Sequence, residues 1–175
     1  MLVVVNSSSG GGRALRRWRR LEPHLADRLK HADVVMPETA EETMSHVETA
    51  CRGRSSCVVA AGGDGTVHAV LNAMMQARPC VMEGDVCLGA IGLGSSNDFH
   101  KPHTPAHMVR GTPIALSLKN SRWVDVGCAK FVDAESGRHR REFFLLNASF
   151  GIVAAGNATF NSPGPVLRWC KAVHT

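Results

Sequence analysis

Five residues, Gly62-Gly63-Asp64-Gly65-Thr66, carry the strongest chemical signal in the chain. They stand between an apolar run, Cys57 to Ala61, and a helix-spaced run from Val67 to Gln76. Glycines at such a junction let the backbone turn with positive φ and approach a ligand closely. Successive amide N–H groups then form a concave nest, and the start of the following helix adds partial positive charge. A polyphosphate needs both. A carboxylate at Asp64 would work through Mg²⁺, or by orienting and deprotonating an attacking hydroxyl, rather than by touching phosphate itself. The plainer alternative is a strand-to-helix turn in which Asp64 only caps the helix. Two more loops have suitable composition. Gly92-Leu93-Gly94-Ser95-Ser96-Asn97-Asp98-Phe99 offers small residues and two hydroxyls, while Asn97 or Asp98 would alternatively cap the next turn. Asn6-Ser7-Ser8-Ser9-Gly10-Gly11-Gly12-Arg13 ends the first apolar run.

The elements that must hold these loops follow from periodicity. Met1 to Asn6 reads as a short buried strand, and Asp33 to Pro37, Cys57 to Ala61 and Val86 to Ile91 read as three further strands. Ala14, Trp18, Leu21 and Leu25 fall on one helix face, which Pro23 breaks near Glu22. Thr39 is placed to cap a helix through Arg52, with Glu42 completing a capping box. Ala73-Met74-Met75 are expected in the core. Alternating strand and helix calls for a parallel sheet with helices on both faces, a three-layer α/β domain through about residue 120. Ligands of such sheets sit at the carboxyl ends of the strands, where all three loops fall. Beyond residue 120 the pattern changes. Trp123 to Ala134 and Arg140 to Ser149 read as a hairpin turning at Glu135-Ser136-Gly137, the opening of a β-rich second domain over 121–175. Two short helical stretches are expected between Val153 and Thr175. A strand pair and two small helices cannot close a core, so the second domain is expected to be incomplete.

Composition excludes several classes. The 175 residues are 44% hydrophobic and 20% charged, ordinary for a soluble globular chain. No run approaches the roughly 20 apolar residues of a membrane helix, and the N-terminus lacks a basic secretory leader, so a cytoplasmic protein is expected. Six cysteines (51, 57, 80, 87, 128 and 170) form no C-x-x-C pair and are expected as free, mostly buried thiols. The net charge is +5, with seven basic residues between Arg13 and Lys30 against Glu22 and Asp27. A solvated helix face accounts for such a run; attraction to phosphate or an acidic membrane surface is the sharper reading. Trp18 is the lone aromatic there, which argues against nucleic acid.

The spacing of four segments resembles the diacylglycerol kinase and sphingosine kinase family. Gly62 to Asn72 is similar to the G-G-D-G-T-x-N-E-V-x-N stretch of diacylglycerol kinase catalytic domains, and Gly92 to Phe99 to their P-L-G-T-x-N-D-F loop. Asn6 to Gly12 resembles their N-P-x-x-G opening, and Leu146 to Gly151 the segment that begins their second domain. The resemblance implies a Rossmann-like nucleotide-binding domain, ATP, Mg²⁺, and transfer of the γ-phosphate to the hydroxyl of a diacylglycerol- or sphingosine-like lipid. It implies a nucleotide site of Asn6, Ser7, Ser8, Gly62, Gly63, Asp64, Gly65, Thr66, Gly94, Ser95 and Asn97, with Asp64 as the catalytic or metal-organising acid. Thr39 stands for the threonine that follows the family's second strand, although ungapped spacing puts Pro37 there. Ser7 and Gly92 replace family prolines, Ser95 a threonine, His68 an asparagine and Ala69 a glutamate. Ala154-Ala155 stand where an acid is expected, and the family's later acidic-glycine pair has no counterpart.

Weaker constellations add little. His100, His103 and His107 have metal-like spacing, but Pro102 and Pro105 interrupt the helix that would align them. Arg168 and Lys171 read as solvated surface charges. Two rival functions follow from the same turn: a soluble-substrate kinase such as an NAD kinase, and a non-catalytic nucleotide-binding module.

Overall fold

The computed structural model describes residues 1–53, 55–77, 86–101, 108–116, 121–149 and 154. Its centre is built from strands whose side chains are buried on both faces. β1 (Leu2–Val5) and β3 (Cys57–Gly62) are buried throughout, as continuous apolar runs in a covered parallel sheet must be. β2 (Asp33–Val35) flanks β1 on one side, and β4 (Cys87–Gly92) flanks β3 on the other.

Alternation divides the strands between two cores. Leu2, Val4, Val58, Ala60 and Ala90 face α3 (Ala40–Arg52) and α4 (Asp64–Gln76), meeting Val47, Cys51, Val67, Val70, Ala73 and Met74. Val3, Val5, Val59, Ala61 and Ile91 face the opposite way, onto α1 (Ala14–Leu21). There Ala14, Trp18, Leu21 and Leu25 form the expected stripe, each almost wholly removed from water. A leucine buried this completely contributes about 1.5–3 kcal/mol. Pro23 acts as expected. After Leu21 the chain tightens into a 3₁₀ turn over Glu22–Leu25 before a short α2 (Ala26–Leu29). The result is a three-layer α/β fold.

The sheet is mixed rather than wholly parallel. β6 (Thr112–Ala115) pairs antiparallel with β4, and β5 (Met108–Val109) pairs antiparallel with β6, giving the order β2-β1-β3-β4-β6-β5. Neither strand is anticipated by periodicity, because each is too short to show any. The signal they do carry is their turn: Arg110 and Gly111 both have positive φ, 51° and 74°, as a two-residue hairpin loop requires.

β1 connects to β2 on its left, whereas β3 connects through α4 to β4 on its right, so the direction of winding reverses between β1 and β3. That switch point is where open α/β sheets leave a crevice beyond the strand ends. The segment after residue 121 holds a separate two-stranded antiparallel sheet, β7 (Gly127–Val132) with β8 (His139–Phe144). It is shorter than the apolar pattern suggests. Trp123 is 83% exposed and precedes the first strand. The Asp133 carboxylate accepts from Ser136 and Glu135 across the expected turn, and these bonds hold its pKa below the usual carboxylate value.

Among the described residues Cys51, Cys57, Cys87 and Cys128 are free thiols, though Cys128 is exposed rather than buried. No described helix is long and apolar enough to cross a membrane. Cys80, Cys170, His103, His107, Ala155, Arg168, Lys171 and the two expected C-terminal helices lie outside the described residues.

Candidate functional site

The glycine-rich turn is made by β3 ending at Gly62 and α4 starting at Asp64. Gly63, not Asp64, is the N-cap, in extended geometry with φ −94° and ψ −171°. Gly62 lies directly under the first helical turn, where a Cβ would stand 2.1 Å from Thr66 Oγ1. No larger residue fits there. Gly65 is different: nothing lies within 4 Å of its added Cβ, and it faces open space on the first turn of α4. The amides of Asp64 and Gly65 have no partner among the described residues, as expected of the first N–H groups of a helix.

The loop after β1 folds against this turn. Asn6 Oδ1 accepts from the Ser8 amide at 3.1 Å and the Ser8 hydroxyl at 2.7 Å, closing an Asx turn. Asn6 Nδ2 donates across the switch point to Thr66 Oγ1 at 3.1 Å. Ser9 Oγ lies 3.2 Å from the same hydroxyl and accepts from the Gly63 amide at 3.4 Å. Three consecutive glycines, Gly10, Gly11 and Gly12, then take φ of 60°, 66° and 82° and lead the chain into α1. Only glycine holds a run of such values without strain.

The loop after β4 packs onto the same place. Gly94 approaches Gly63 so closely that a Cβ on it would sit 2.5 Å from Gly63 Cα. Asn97, with φ 51°, folds its side chain back to accept from the Gly94 amide at 3.1 Å and donate to the Gly94 carbonyl at 3.1 Å. Arg17, from α1, donates to the Gly94 carbonyl at 3.0 Å. With its carbonyl side held this way, the loop leaves Ser95 and Ser96 exposed, their hydroxyls and amides without partners among the described residues. Asp64 Oδ1 accepts from the Phe99 amide at 3.0 Å, tying the acid to this loop as well. Beside it Lys101 pairs with Asp98, a contact that raises the Lys101 pKa.

Of the residues that the sequence points to, the structure brings Asn6, Gly62, Gly63, Asp64, Thr66, Gly94 and Asn97 into one bonded cluster. Gly65 and Ser95 stand at its open face, while Ser7 makes no side-chain hydrogen bond among the described residues. The Thr39 hydroxyl is occupied as the cap of α3, accepting from the Glu42 amide at 3.1 Å. Glu42 reaches back one residue beyond the expected box, to the Glu38 amide. His100 is buried, edge-on to Phe99, and among the described residues no group of three or more His, Cys, Asp or Glu is arranged to hold a metal. Ser9 and Arg17 join the site without being identified by sequence, and Asn72, farther along α4, makes its contacts away from the three loops. Asn72 is nearly buried and accepts from the Phe143 amide at 2.8 Å while donating to the Phe143 carbonyl at 2.9 Å. Ser9 has a legible signal, a third hydroxyl in a loop already rich in them. Asn72 closes the Gly62 to Asn72 stretch that resembles the family, but its contact with Phe143, 71 residues away, has no signal in sequence, nor has the contact of Arg17, which spans 77.

Three layers, a switch-point crevice and three small-residue loops converging on one helix start define a domain of the kinase type. The chain belongs to the diacylglycerol kinase catalytic domain family, whose description matches residues 1–129. It is 32% identical over 128 residues to a Streptococcus pneumoniae serotype 4 protein described as "Putative lipid kinase", a match covering 73% of this chain and 42% of that relative. The chain therefore spans less than half the length of the relative it matches.

Proposed function

We propose that the protein binds ATP across the three loops and takes part in transfer of its γ-phosphate to a lipid hydroxyl. The observation that carries this reading is the bonded meeting of the three loops, through Thr66 and Gly63, around an open helix start at Gly65. The amides of Asp64 and Gly65 and the hydroxyls of Ser95 and Ser96, unpartnered among the described residues, suit phosphate oxygens. Asn6, Ser8 and Thr66 serve differently. Their polar atoms bond to one another and hold the loops in place around the nucleotide. Ser7 and Thr39 are assigned to the rim. Asp64 is the acid of the site, positioning Mg²⁺ or the acceptor hydroxyl. Its second oxygen is uncommitted among the described residues, and one carboxylate with substrate phosphates and water is what Mg²⁺ uses. The metal, when bound, would neutralise charge on the transferring phosphoryl group.

The α/β domain is assigned to about residue 120, with the β7–β8 hairpin belonging to the acceptor side of the cleft. A lipid acceptor and a cytoplasmic protein that touches anionic membrane from outside are the readings most consistent with the relative's description and with the exposed arginines of α1.

Calorimetric titration of Mg²⁺–ATP into the chain and into Gly65→Val tests the site. The valine side chain enters the open space without meeting protein, so the variant should fold normally and lose binding at least tenfold. A parent chain that does not bind Mg²⁺–ATP, or a variant that binds equally well, would refute the assignment. Assay of diacylglycerol, sphingosine and NAD as acceptors then separates the lipid reading from a soluble-substrate kinase.

A further inference from the structure

The helix that begins at the glycine-rich turn also carries the second sheet. α4 presents Leu71 and Met75 to Phe143 of β8, and Leu88, Val126 and Leu145 close around them. This is a small apolar contact, and hydrophobic attraction has no direction of its own. Asn72 supplies the directional element. It is 7% exposed, and its side-chain amide closes a ring of two hydrogen bonds with the backbone of one residue, Phe143 N–H to Oδ1 and Nδ2–H to Phe143 O. Nδ2 also donates to the His68 carbonyl one helical turn back, at 2.9 Å, which fixes the rotamer.

Phe143 faces Cys128 across the hairpin, between the pairs Gly127–Phe144 and Ala129–Glu142. Along an antiparallel pair, backbone groups point alternately toward and away from the partner strand. The Phe143 groups point away from β7, to where a further strand would bond, and Asn72 satisfies both. The amide thus imitates a neighbouring strand at one residue only. One turn earlier on the helix, His68 Nε2 lies 3.5 Å from Glu142 Oε2, a looser and more exposed contact beside the first.

We infer that Asn72 is a positioning residue: its ring with Phe143 fixes the β7–β8 hairpin relative to the glycine-rich turn at the other end of the same helix. The inference rests on the reading of that turn as the phosphate site and of the hairpin as part of the acceptor side. Asn72 touches neither ligand. It acts by making the turn, α4 and β8 one rigid body, so that acceptor and phosphate meet at a set distance, and small displacements of reacting groups cost large factors in rate.

Three variants test this in the full chain. Asn72→Leu removes both hydrogen bonds, Asn72→Asp keeps the acceptor for Phe143 N–H but not the donor, and Leu71→Ala weakens the apolar contact while leaving the ring. Mg²⁺–ATP affinity should stay within twofold of the parent in all three. Transfer to the lipid acceptor should fall at least tenfold in Asn72→Leu and less in Asn72→Asp. In Leu71→Ala it should fall under threefold, even where Tm is lowered as much. Transfer that tracks Tm across all three variants would reduce Asn72 to an ordinary stabilising residue and overturn the proposal. Amide hydrogen exchange tests the same coupling without any ligand. In the parent, Phe143 should open together with residues 70–75 of α4; in Asn72→Leu it should open separately and at least tenfold more often, and in Leu71→Ala it should not. Unchanged coupling in Asn72→Leu overturns the proposal, whereas absent Mg²⁺–ATP binding by the parent refutes only the phosphate-site reading.

Discussion

The hydroxyl of Thr66 has two side chains from another loop within hydrogen-bonding distance, Asn6 at 3.1 Å and Ser9 at 3.2 Å, and lies beneath a glycine that has no room for a Cβ. A single buried oxygen therefore joins the ends of β1 and β3 across the switch point. Thr66→Val keeps the shape and removes the acceptor, leaving the half-buried Asn6 amide without its partner. A net loss of about 0.5–1.5 kcal/mol is expected, the range for one intramolecular hydrogen bond whose donor can still reach water. Thr66→Ser should recover most of it. Urea denaturation of the three proteins measures this, and a valine variant as stable as the parent would show that the Asn6 and Ser9 contacts contribute nothing. The motif itself is legible in sequence, since a glycine-rich turn between an apolar strand and a helix has few other uses. The division of labour inside it is not. Thr66 and Asn6 look like ligand-facing polar groups in one dimension, yet they spend their side-chain hydrogen bonds on each other and on Ser8 and Ser9. Gly65 and Gly62 look equivalent in sequence, but one faces open space and the other a buried hydroxyl.

At the scale of elements, the central strands are legible because burial on both faces writes itself as unbroken apolar runs, and α1 because four residues share one stripe. β5 and β6 are not, being two and four residues long and held by pairing rather than by composition. Pairing also brings two cysteines into register, Cys57 on β3 with Cys87 on β4. Burial, and secondarily the neighbouring Cys87, push the Cys57 thiol up from 9.0 to about 11. The folded state thus prefers the neutral thiol more strongly than the unfolded chain does. The stabilisation linked to Cys57 is complete below pH 9 and lost as pH rises toward 11, because only the unfolded chain then gains by ionising. The limiting loss is about 3 kcal/mol, from about 1.4 kcal/mol for each pH interval of one. Denaturant titrations at pH 8, 9 and 10 should show the parent losing stability relative to Cys57→Ala as pH rises. Parallel curves for the two proteins would mean that Cys57 is not desolvated as described.

Over the whole molecule, charge is distributed by the same packing that builds the core. α1 buries Ala14, Trp18 and Leu21 against the sheet, so its arginines must lie on the outer face, and they divide by what they reach. Arg13 donates to the Gly10 carbonyl and Arg17 to the Gly94 carbonyl, both within the loops of the candidate site. Arg16, Arg19 and Arg20 are exposed and have no partner among the described residues, so they are the charges free to meet an external anion. A basic segment read from sequence as one feature is thus two, and a membrane test must leave Arg17 intact. Arg19 and Arg20 also sit in the last turn of α1, where positive charge favours the helix; glutamate there would disturb folding and confuse the result. Glutamine at positions 16, 19 and 20 removes the charge without reversing it. If this face meets anionic lipid, each arginine near the surface contributes about 1 kcal/mol. The triple variant should then bind acidic vesicles about a hundredfold less well, since 1.4 kcal/mol corresponds to a factor of ten. Parent binding should weaken steeply with added salt, as screening over roughly 8 Å at physiological ionic strength demands. Flotation with vesicles of mixed phosphatidylserine and phosphatidylcholine reads both effects. Equal flotation of parent and variant would place the membrane contact on another surface, leaving the exposed arginines of α1 as a solvated helix face and the three-loop site unaffected.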